Sequence, residues 1–423
     1  MNFVTDVNLN KFDGFVRSHP LKSHFMQSAA WGEFSRAEKG LTPHYVGLED
    51  ESGALVAAAL VLERKPPIFP SYFYCPRGYV IDFFDEALLA EFTAGIRAFA
   101  RARGAMFIKL DPDVERRSID LEGNADGGFS NERVIESLKS LGYRHRSFNM
   151  GFEGRQPRFT FRIDLSRDKS AIEKAIVGNV MKNVRKSYSY AVTVSHGTSA
   201  DVPELHRLIS LTSERDEFVG YNESYYQNFF DILSKRDMAT LYLGRVNPKK
   251  TVEMLKTALA ELLEKRKQLK REGVLNESYL SEQRLLKEIA LFEEYAKKYE
   301  GDVTISAHLV VRYGDKAWAV HAGSDKLMSE SFVNNRVYYE KLMEAKESGA
   351  RVLDQFGTIG NPSDSPLKSL HEFKRQFGGR YVEFIGEFDL VTKPFWYFVY
   401  EKLLPLYRNI RIDLKLRHKK GTK

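Results

Sequence analysis

Cysteine is almost missing: Cys75 is the single one in the chain, which excludes an internal disulfide and fits a reducing compartment. A lone thiol of this kind is expected in the core rather than as a nucleophile. Long apolar runs are missing too. The longest, Ala54 to Leu62, is too short to span a bilayer. The opening MNFVTDVNLNKFDGFVRSH has no basic head followed by an apolar run, so no secretory signal and a cytoplasmic location are expected. There is no Walker loop, GxSxG elbow, HExxH or CxxC pair, and the ten histidines are scattered. Neither a metal site nor a bound cofactor is expected.

What is present can build a core. Apolar residues make up 43% and aromatic residues 13% of 423, a length that suggests two or three domains. Most of the net charge of +7 sits at the end: residues 408–423 hold Arg408, Arg411, Lys415, Arg417, Lys419, Lys420 and Lys423 against Asp413 alone. This basic end follows Phe395, Trp396, Tyr397, Phe398 and Tyr400, a combination that suits an anionic membrane surface or RNA. A solvated tail is the plainer alternative.

Ala54 to Leu62 and Ala105 to Leu110 read as buried strands and Glu86 to Ala102 as a helix, which predicts an α/β domain over 1–150. Leu121 to Ser130 is expected to be a loop, followed by a helix near Glu132 to Leu141. A second domain, 151–388, opens with the strand Phe159 to Ile163 and a helix from Asp168 to Tyr190. Strands at Thr240 to Arg245, Thr304 to Tyr313 and Lys316 to Ala322 follow, then a helix near Val337 to Ser348.

Between two of those strands the composition changes. Val252, Leu255, Leu259, Leu262 and Leu269 keep a heptad spacing in which Arg266 takes one core position, and Leu285, Ile289, Phe292, Ala296 and Tyr299 repeat it. The pattern predicts an antiparallel coiled-coil hairpin over 249–298, turning at Gly273 and restarting at Asn276 and Glu277. At about 1.5 Å per residue, roughly 23 residues give an arm about 35 Å long. Dimerisation, rigidification and contact with tRNA are its open roles.

From Arg351 the chain reads RVLDQFGTIGNPSDSPLKSLHEFKRQFGGRYVEFIGEFDL: a strand, a glycine-rich turn, a helix carrying Phe373 and Lys374, and another strand. A lysine fixed there can set a cation beside a developing oxyanion, as acyl transfer without a metal requires. A solvated helix lysine is the alternative.

Taken together, FMQSAAWGEF (Phe25 to Phe34), YCPRGYVIDF (Tyr74 to Phe83), FIKLDPD (Phe107 to Asp113), NVRKSYSYAVTV (Asn183 to Val194), SERDEFVGYNESYY (Ser213 to Tyr226), HAGSD (His321 to Asp325) and LHEFKRQFGG (Leu370 to Gly379) resemble the Fem family (FemABX) of peptidoglycan-bridge aminoacyltransferases, in its MurM-like branch. The resemblance implies two acetyltransferase-like domains, with the arm inserted in the second and 389–423 packing back on the first. It also implies transfer of an amino acid, alanine or serine, from aminoacyl-tRNA to the side-chain amine of the third stem-peptide residue, lysine, of lipid II or UDP-MurNAc-pentapeptide. The enzyme would then lie at the inner face of the plasma membrane, docked by its C-terminal segment. Matching family positions imply Phe373 and Lys374 at the reacting ester, Asp111 and Phe107 near the acceptor, and Arg215, Tyr221 and Tyr225 at the precursor. Lys182, Arg185 and Lys186, on one helix, would contact phosphate. Two departures stand out: Ser35 where the branch has a lysine, with Arg36 beside it as a substitute, and His321 where the family has a tyrosine. Two rival readings stay open, an acyl-CoA-dependent N-acyltransferase and a non-catalytic tRNA-binding protein. The first is poorly served by Arg101-Ala102-Arg103-Gly104-Ala105-Met106, which lacks the final small residue of a pyrophosphate loop.

Overall fold

The computed structural model describes residues 1–216, 219–362 and 367–403. The basic end at 408–423 lies outside the described residues. The chain divides into two compact units, one formed by 1–160, 357–363 and the chain from 381, the other by 161–356 and 364–380. Residues 151–160 and 381–388, assigned to the second domain from sequence, thus belong to the first unit. The reason is strand pairing: Arg380–Phe384 runs antiparallel to Glu115–Ile119, and Phe388–Val391 to Phe107–Leu110.

The first unit is built on a seven-stranded sheet in the order Asn2–Val4, Thr42–Glu49, Leu55–Arg64, Tyr72–Cys75, Phe107–Leu110, Phe388–Val391, Tyr143–His145. Leu55–Arg64 is apolar almost throughout and buried on both faces, as a central strand must be. Tyr72–Cys75 and Phe107–Leu110 are parallel. The helix between them, Glu86–Ala102, is capped by the Asp85 carboxylate on Leu88 N at 3.0 Å. Its buried stripe of Leu89, Phe92, Ile96 and Phe99 packs into the sheet's core with Phe73 and Ile108. Ala125–Ser130, expected to be a loop, is an exposed strand paired with Glu115–Ile119. Its first four residues, ADGG, are poor strand formers, which hides it from propensity.

In the second unit Val192–Gly197, Ala239–Val246, Val303–Tyr313 and Lys316–Ser324 form an antiparallel run. Val352–Asp354 then joins in parallel with Lys316–Ser324, and Phe159–Asp164 pairs antiparallel with it. Gly323 has a steric reason: a Cβ there would lie 2.4 Å from the Leu208 backbone, so only glycine lets the helix Val202–Asp216 rest on this strand. The helix expected over Asp168 to Tyr190 is two helices, Lys169–Ala175 and Gly178–Ser187. It breaks where Val177 N–H leaves the helical ladder and donates to Gln376 O at 2.9 Å.

The arm consists of Pro248–Arg266 and Glu272–Lys298. It leaves the sheet where Val246 faces Val303, so it stands in the place of a hairpin turn. Ion pairs Lys256–Glu293 (2.7 Å) and Arg266–Glu282 (2.6 Å) set the helices antiparallel, because one partner climbs in number as the other falls. The turn comes earlier than Gly273, which lies inside the second helix together with Asn276 and Glu277. Three successive i→i−3 bonds, from the N–H groups of Lys267, Gln268 and Leu269, tighten the end of the first helix before glycine is reached. Val252, Leu255, Ile289 and Phe292 are buried at the root. Farther out, Arg266 donates to Ser278 Oγ (2.8 Å), Ser278 O (3.0 Å) and Glu282, a polar register lock in the apolar seam. No helix among the described residues is long and apolar enough to cross a membrane.

Candidate active site

Lys374 lies in the last turn of Lys368–Arg375 in the second unit, half-buried. Its ammonium donates to the carbonyl of Phe356. That carbonyl is presented by an unusual turn in which Phe356 (φ 49°) and Gly357 (φ 53°) are both left-handed. For a residue as bulky as phenylalanine this conformation costs energy, and such residues gather at functional sites. Burial brings the Lys374 ammonium down to about 7, opposed by the Asp354 carboxylate. Asp354 is held in turn by Arg162 Nε at 2.9 Å and Phe356 N at 2.8 Å. Phe373 packs edge-on against Tyr338 (ring centroids 5.4 Å) and Phe377 (5.2 Å), which fixes the helix that carries Lys374.

Behind this helix lies a cluster that sequence reasoning missed. Lys341 is 1% exposed, on Val333–Glu347, and its amine donates to His308 Nδ1 at 2.9 Å above the Tyr338 ring at 3.6 Å. Asn334 Oδ1 accepts from His308 Nε2–H at 2.9 Å and from Ser306 Oγ at 2.8 Å, which fixes the imidazole tautomer. Among the described residues no carboxylate pairs with Lys341. Burial, and then the charge of Lys374, hold its amine well below the ordinary lysine range. Burial, and then the charge of Lys341, likewise lower His308 well below the ordinary imidazole range. Tyr338 O–H donates to the Gln355 side-chain carbonyl, whose amide nitrogen is a buried donor without an acceptor among the described residues. A lysine at an inward helix position with a histidine on the facing strand was the only signal available, and it is too common to point to a site.

The remaining expected residues of the second unit fall in two places. Arg215 ends the helix Val202–Asp216, its guanidinium on the Asp216 carboxylate (2.9 Å) and Ser324 O (3.3 Å). Tyr221 and Tyr225 stack with centroids 3.7 Å apart, and His321 sets its ring edge-on to both, at 6.3 and 5.8 Å. His321 and Ser324 share the strand Lys316–Ser324, so this strand end draws the arginine and the aromatic shelf together. Lys182 and Arg185 are exposed on Gly178–Ser187, whereas Lys186 is held by Glu288 of the arm at 2.7 Å.

In the first unit Asp111 follows Phe107–Leu110 and is 3% exposed. It accepts from Tyr74 O–H (2.7 Å) and Arg77 N–H (2.6 Å). Burial raises its carboxyl to about 6; Arg77 opposes the shift and Glu387 adds to it. A polar cleft there is lined by Arg77, Asp111, Asn149, Gln156, Arg158 and Glu387. Tyr74 and Arg77, both inside the YCPRGY stretch, were readable but unassigned from sequence. Phe107, expected near the acceptor, is a core residue: it is 0% exposed and stacked on Tyr72 at 5.0 Å. Four positions from Asp111, it shares that residue's side of the chain by alternation, but the rings of Tyr72, Tyr397 and Tyr400 pack against it. Arg36 is exposed on Ala29–Lys39, while Ser35 is buried. Cys75 is buried and burial pushes its thiol up, which suits a core residue and not a nucleophile.

This chain's fold of two mixed α/β units is one that a crystal structure of FemX shares. The two superpose with a TM-score of 0.76 at 24% identity, covering 94% of this chain and 100% of that one. The family itself is shown by the match of residues 7–404 to the FemAB family, to which the chain belongs. Proteins named lipid II:glycine glycyltransferase are similar over nearly their whole length. That of Staphylococcus haemolyticus (strain JCSC1435) is 27% identical, covering 98% of this chain and 99% of the relative. That of Staphylococcus aureus (strain USA300) is 26% identical, covering 96% and 97%.

Proposed function

We propose that this chain is an aminoacyltransferase that moves an amino acid from aminoacyl-tRNA to the amine of a lipid II stem peptide, building the peptidoglycan cross-bridge. Family membership and the relatives' names support the reaction class. The observation that carries the chemistry is Lys374, a half-buried side chain whose ammonium is fixed by a strained backbone turn.

An aminoacyl ester is already activated, so a neutral acceptor amine can attack its carbonyl directly. A C–N bond forms, the ester C–O bond breaks, and the proton lost by the amine balances the one gained by the ribose hydroxyl. Positioning supplies much of the rate. Lys374 stabilises the negative charge that grows on the carbonyl oxygen. Asp111 orients the acceptor's ammonium, since even at about 6 its carboxylate is a weak base toward an amine. The stacked Tyr221–Tyr225 shelf with Arg215 is assigned to the precursor's sugar and phosphate. Alanine or serine is the amino acid that the sequence resemblance implies, whereas the relatives' names support glycine.

The test mixes purified protein with glycyl-, alanyl- or seryl-tRNA and either lipid II or a soluble muramoyl-pentapeptide, and weighs the product. A branched product that requires both substrates is expected. Product from an acyl-CoA alone, or binding of both substrates without product, overturns the reading.

A further inference from the structure

Five large apolar side chains of the first unit point into solvent around one spot. Ile68 is 82% exposed, Phe395 69%, Phe398 57%, Leu403 47% and Trp396 37%. They come from two segments far apart in sequence, yet they form one patch. Phe69 sets its ring edge-on to Trp396 (6.4 Å) and Tyr400 (6.0 Å), joining the loop 64–71 to the helical segment 394–403. The patch is rigid as well as apolar. Tyr397 is 4% exposed and its hydroxyl donates to Asp389 at 2.9 Å, so its neighbours Phe395, Trp396 and Phe398 are turned outward. On the other side Pro66, Pro67 and Pro70 fix the loop backbone that holds Ile68 out.

Charge selects among possible occupants. Arg64, Lys65, Arg103 and Lys402 belong to the same segments or to the adjoining cavity. That cavity, of about 420 Å³, is lined by Glu63, Lys65, Phe69, Ser71, Arg103 and Gly104. Of the acids nearby, Glu63 is buried and shared among His44 at 2.9 Å, Lys65 at 3.7 Å and Arg103 at 4.0 Å, which leaves the two cations in excess over it, and Glu401 is held by Arg146. The described chain leaves from this patch at Leu403, and the sequence beyond adds seven cations over 408–423 against Asp413. A second copy of the chain would bring like charges together, whereas an anionic surface answers both the cations and the rings. Aromatic side chains favour the headgroup boundary, and cations draw anionic lipid to it.

We propose that the loop 64–71 and the segment 394–403 form a docking surface by which the first unit binds the face of an anionic phospholipid bilayer. The rings of Phe395, Trp396 and Phe398 with Ile68 enter the headgroup boundary, and Lys65, Arg103 and Lys402 meet lipid phosphates. The surface is independent of the transfer chemistry proposed above.

The test is co-sedimentation of the full chain with vesicles of phosphatidylcholine alone or with about 30% phosphatidylglycerol, holding neither precursor nor tRNA. Binding should be at least about tenfold tighter to the anionic vesicles. Ile68→Ser with Phe395→Ser should lose at least about tenfold on those vesicles while melting at the wild-type temperature, since both side chains are exposed. Lys65→Glu with Lys402→Glu should lose the preference for phosphatidylglycerol. Both double variants should still transfer to a soluble acceptor, so failure of docking and failure of the transferase reading are separately visible. Wild type that stays in the supernatant overturns the proposal. So does an Ile68→Ser/Phe395→Ser protein that binds vesicles fully but changes its oligomeric state, which would make the patch a self-association surface.

Discussion

At Lys374 the side chain's length and its charge make different contributions. Lys374→Met keeps the length and loses the charge, so turnover should fall on the order of 10²–10³-fold with little change in precursor binding. Unchanged turnover would refute the oxyanion role. Lys374→Arg separates charge from titration. The wild-type cation is lost as pH rises through about 7, whereas an arginine stays charged. The ratio of wild-type to arginine-variant turnover should therefore decline above pH 7, and the acceptor amine's own titration cancels from that ratio. Lys341 makes a stability prediction. Its amine is held well below the ordinary lysine range in the folded chain, so between the folded and unfolded values the native state binds fewer protons and stability rises with pH up to the unfolded lysine value. Lys341→Met removes that slope. It should gain more in melting temperature at pH 6 than at pH 9, by a few degrees, measured by scanning calorimetry. A pH-independent offset is expected from His308 Nδ1 losing its donor, and Lys374 keeps its own slope in both proteins. Equal shifts at both pH values would mean that Lys341 is charged in the fold. The strand, glycine turn and helix around Lys374 were legible, whereas the role assigned to it came from the family resemblance. Lys341 was not, because its partner His308 is 33 positions away and no local pattern links them.

For elements, periodicity made long amphipathic segments readable: Glu86–Ala102 and the arm both announce themselves by spacing. The break at Ile176 and Val177 was not readable, because it is imposed by Gln376, distant in sequence. The arm's burial is graded, and this decides how to test it. Removing all of it would strip Val252, Leu255, Ile289 and Phe292 from the second unit's core, so a whole-arm deletion tests folding rather than recognition. Trimming 261–283 and closing the gap with a short glycine linker spares the root. If the arm contacts donor tRNA, the KM for aminoacyl-tRNA should rise about tenfold or more while the KM for the acceptor and the oligomeric state stay fixed. A shift from dimer to monomer with an unchanged donor KM would assign the arm to self-association instead. Arg266→Ala tests its register: the lost donors to Ser278 and Glu282 should lower arm protection in hydrogen exchange without affecting the sheet.

Across the whole molecule, length suggested two or three domains and the strand and helix pattern an α/β chain, and strand pairing then moved the boundaries. No local signal reveals that Phe388–Val391 belongs between Phe107–Leu110 and Tyr143–His145, because the register is written only in the assembled sheet. A protein of residues 1–160 alone should lack a cooperative thermal transition and bind a hydrophobic dye, since two of its strands lose their shared neighbour. A sigmoidal melt from that fragment would sink the prediction. The same strand sets the order of events at the ribosome. Leu110 waits for Phe388, about 280 residues later, which at ordinary synthesis rates is on the order of 15–55 s. During that interval the nascent first unit holds open strand edges that its native partner has not yet been made to cover, while the second unit can already collapse. Slowing growth or cooling the culture lowers the concentration of such half-finished chains, so yield of folded protein should depend on expression temperature more steeply than its final stability would imply.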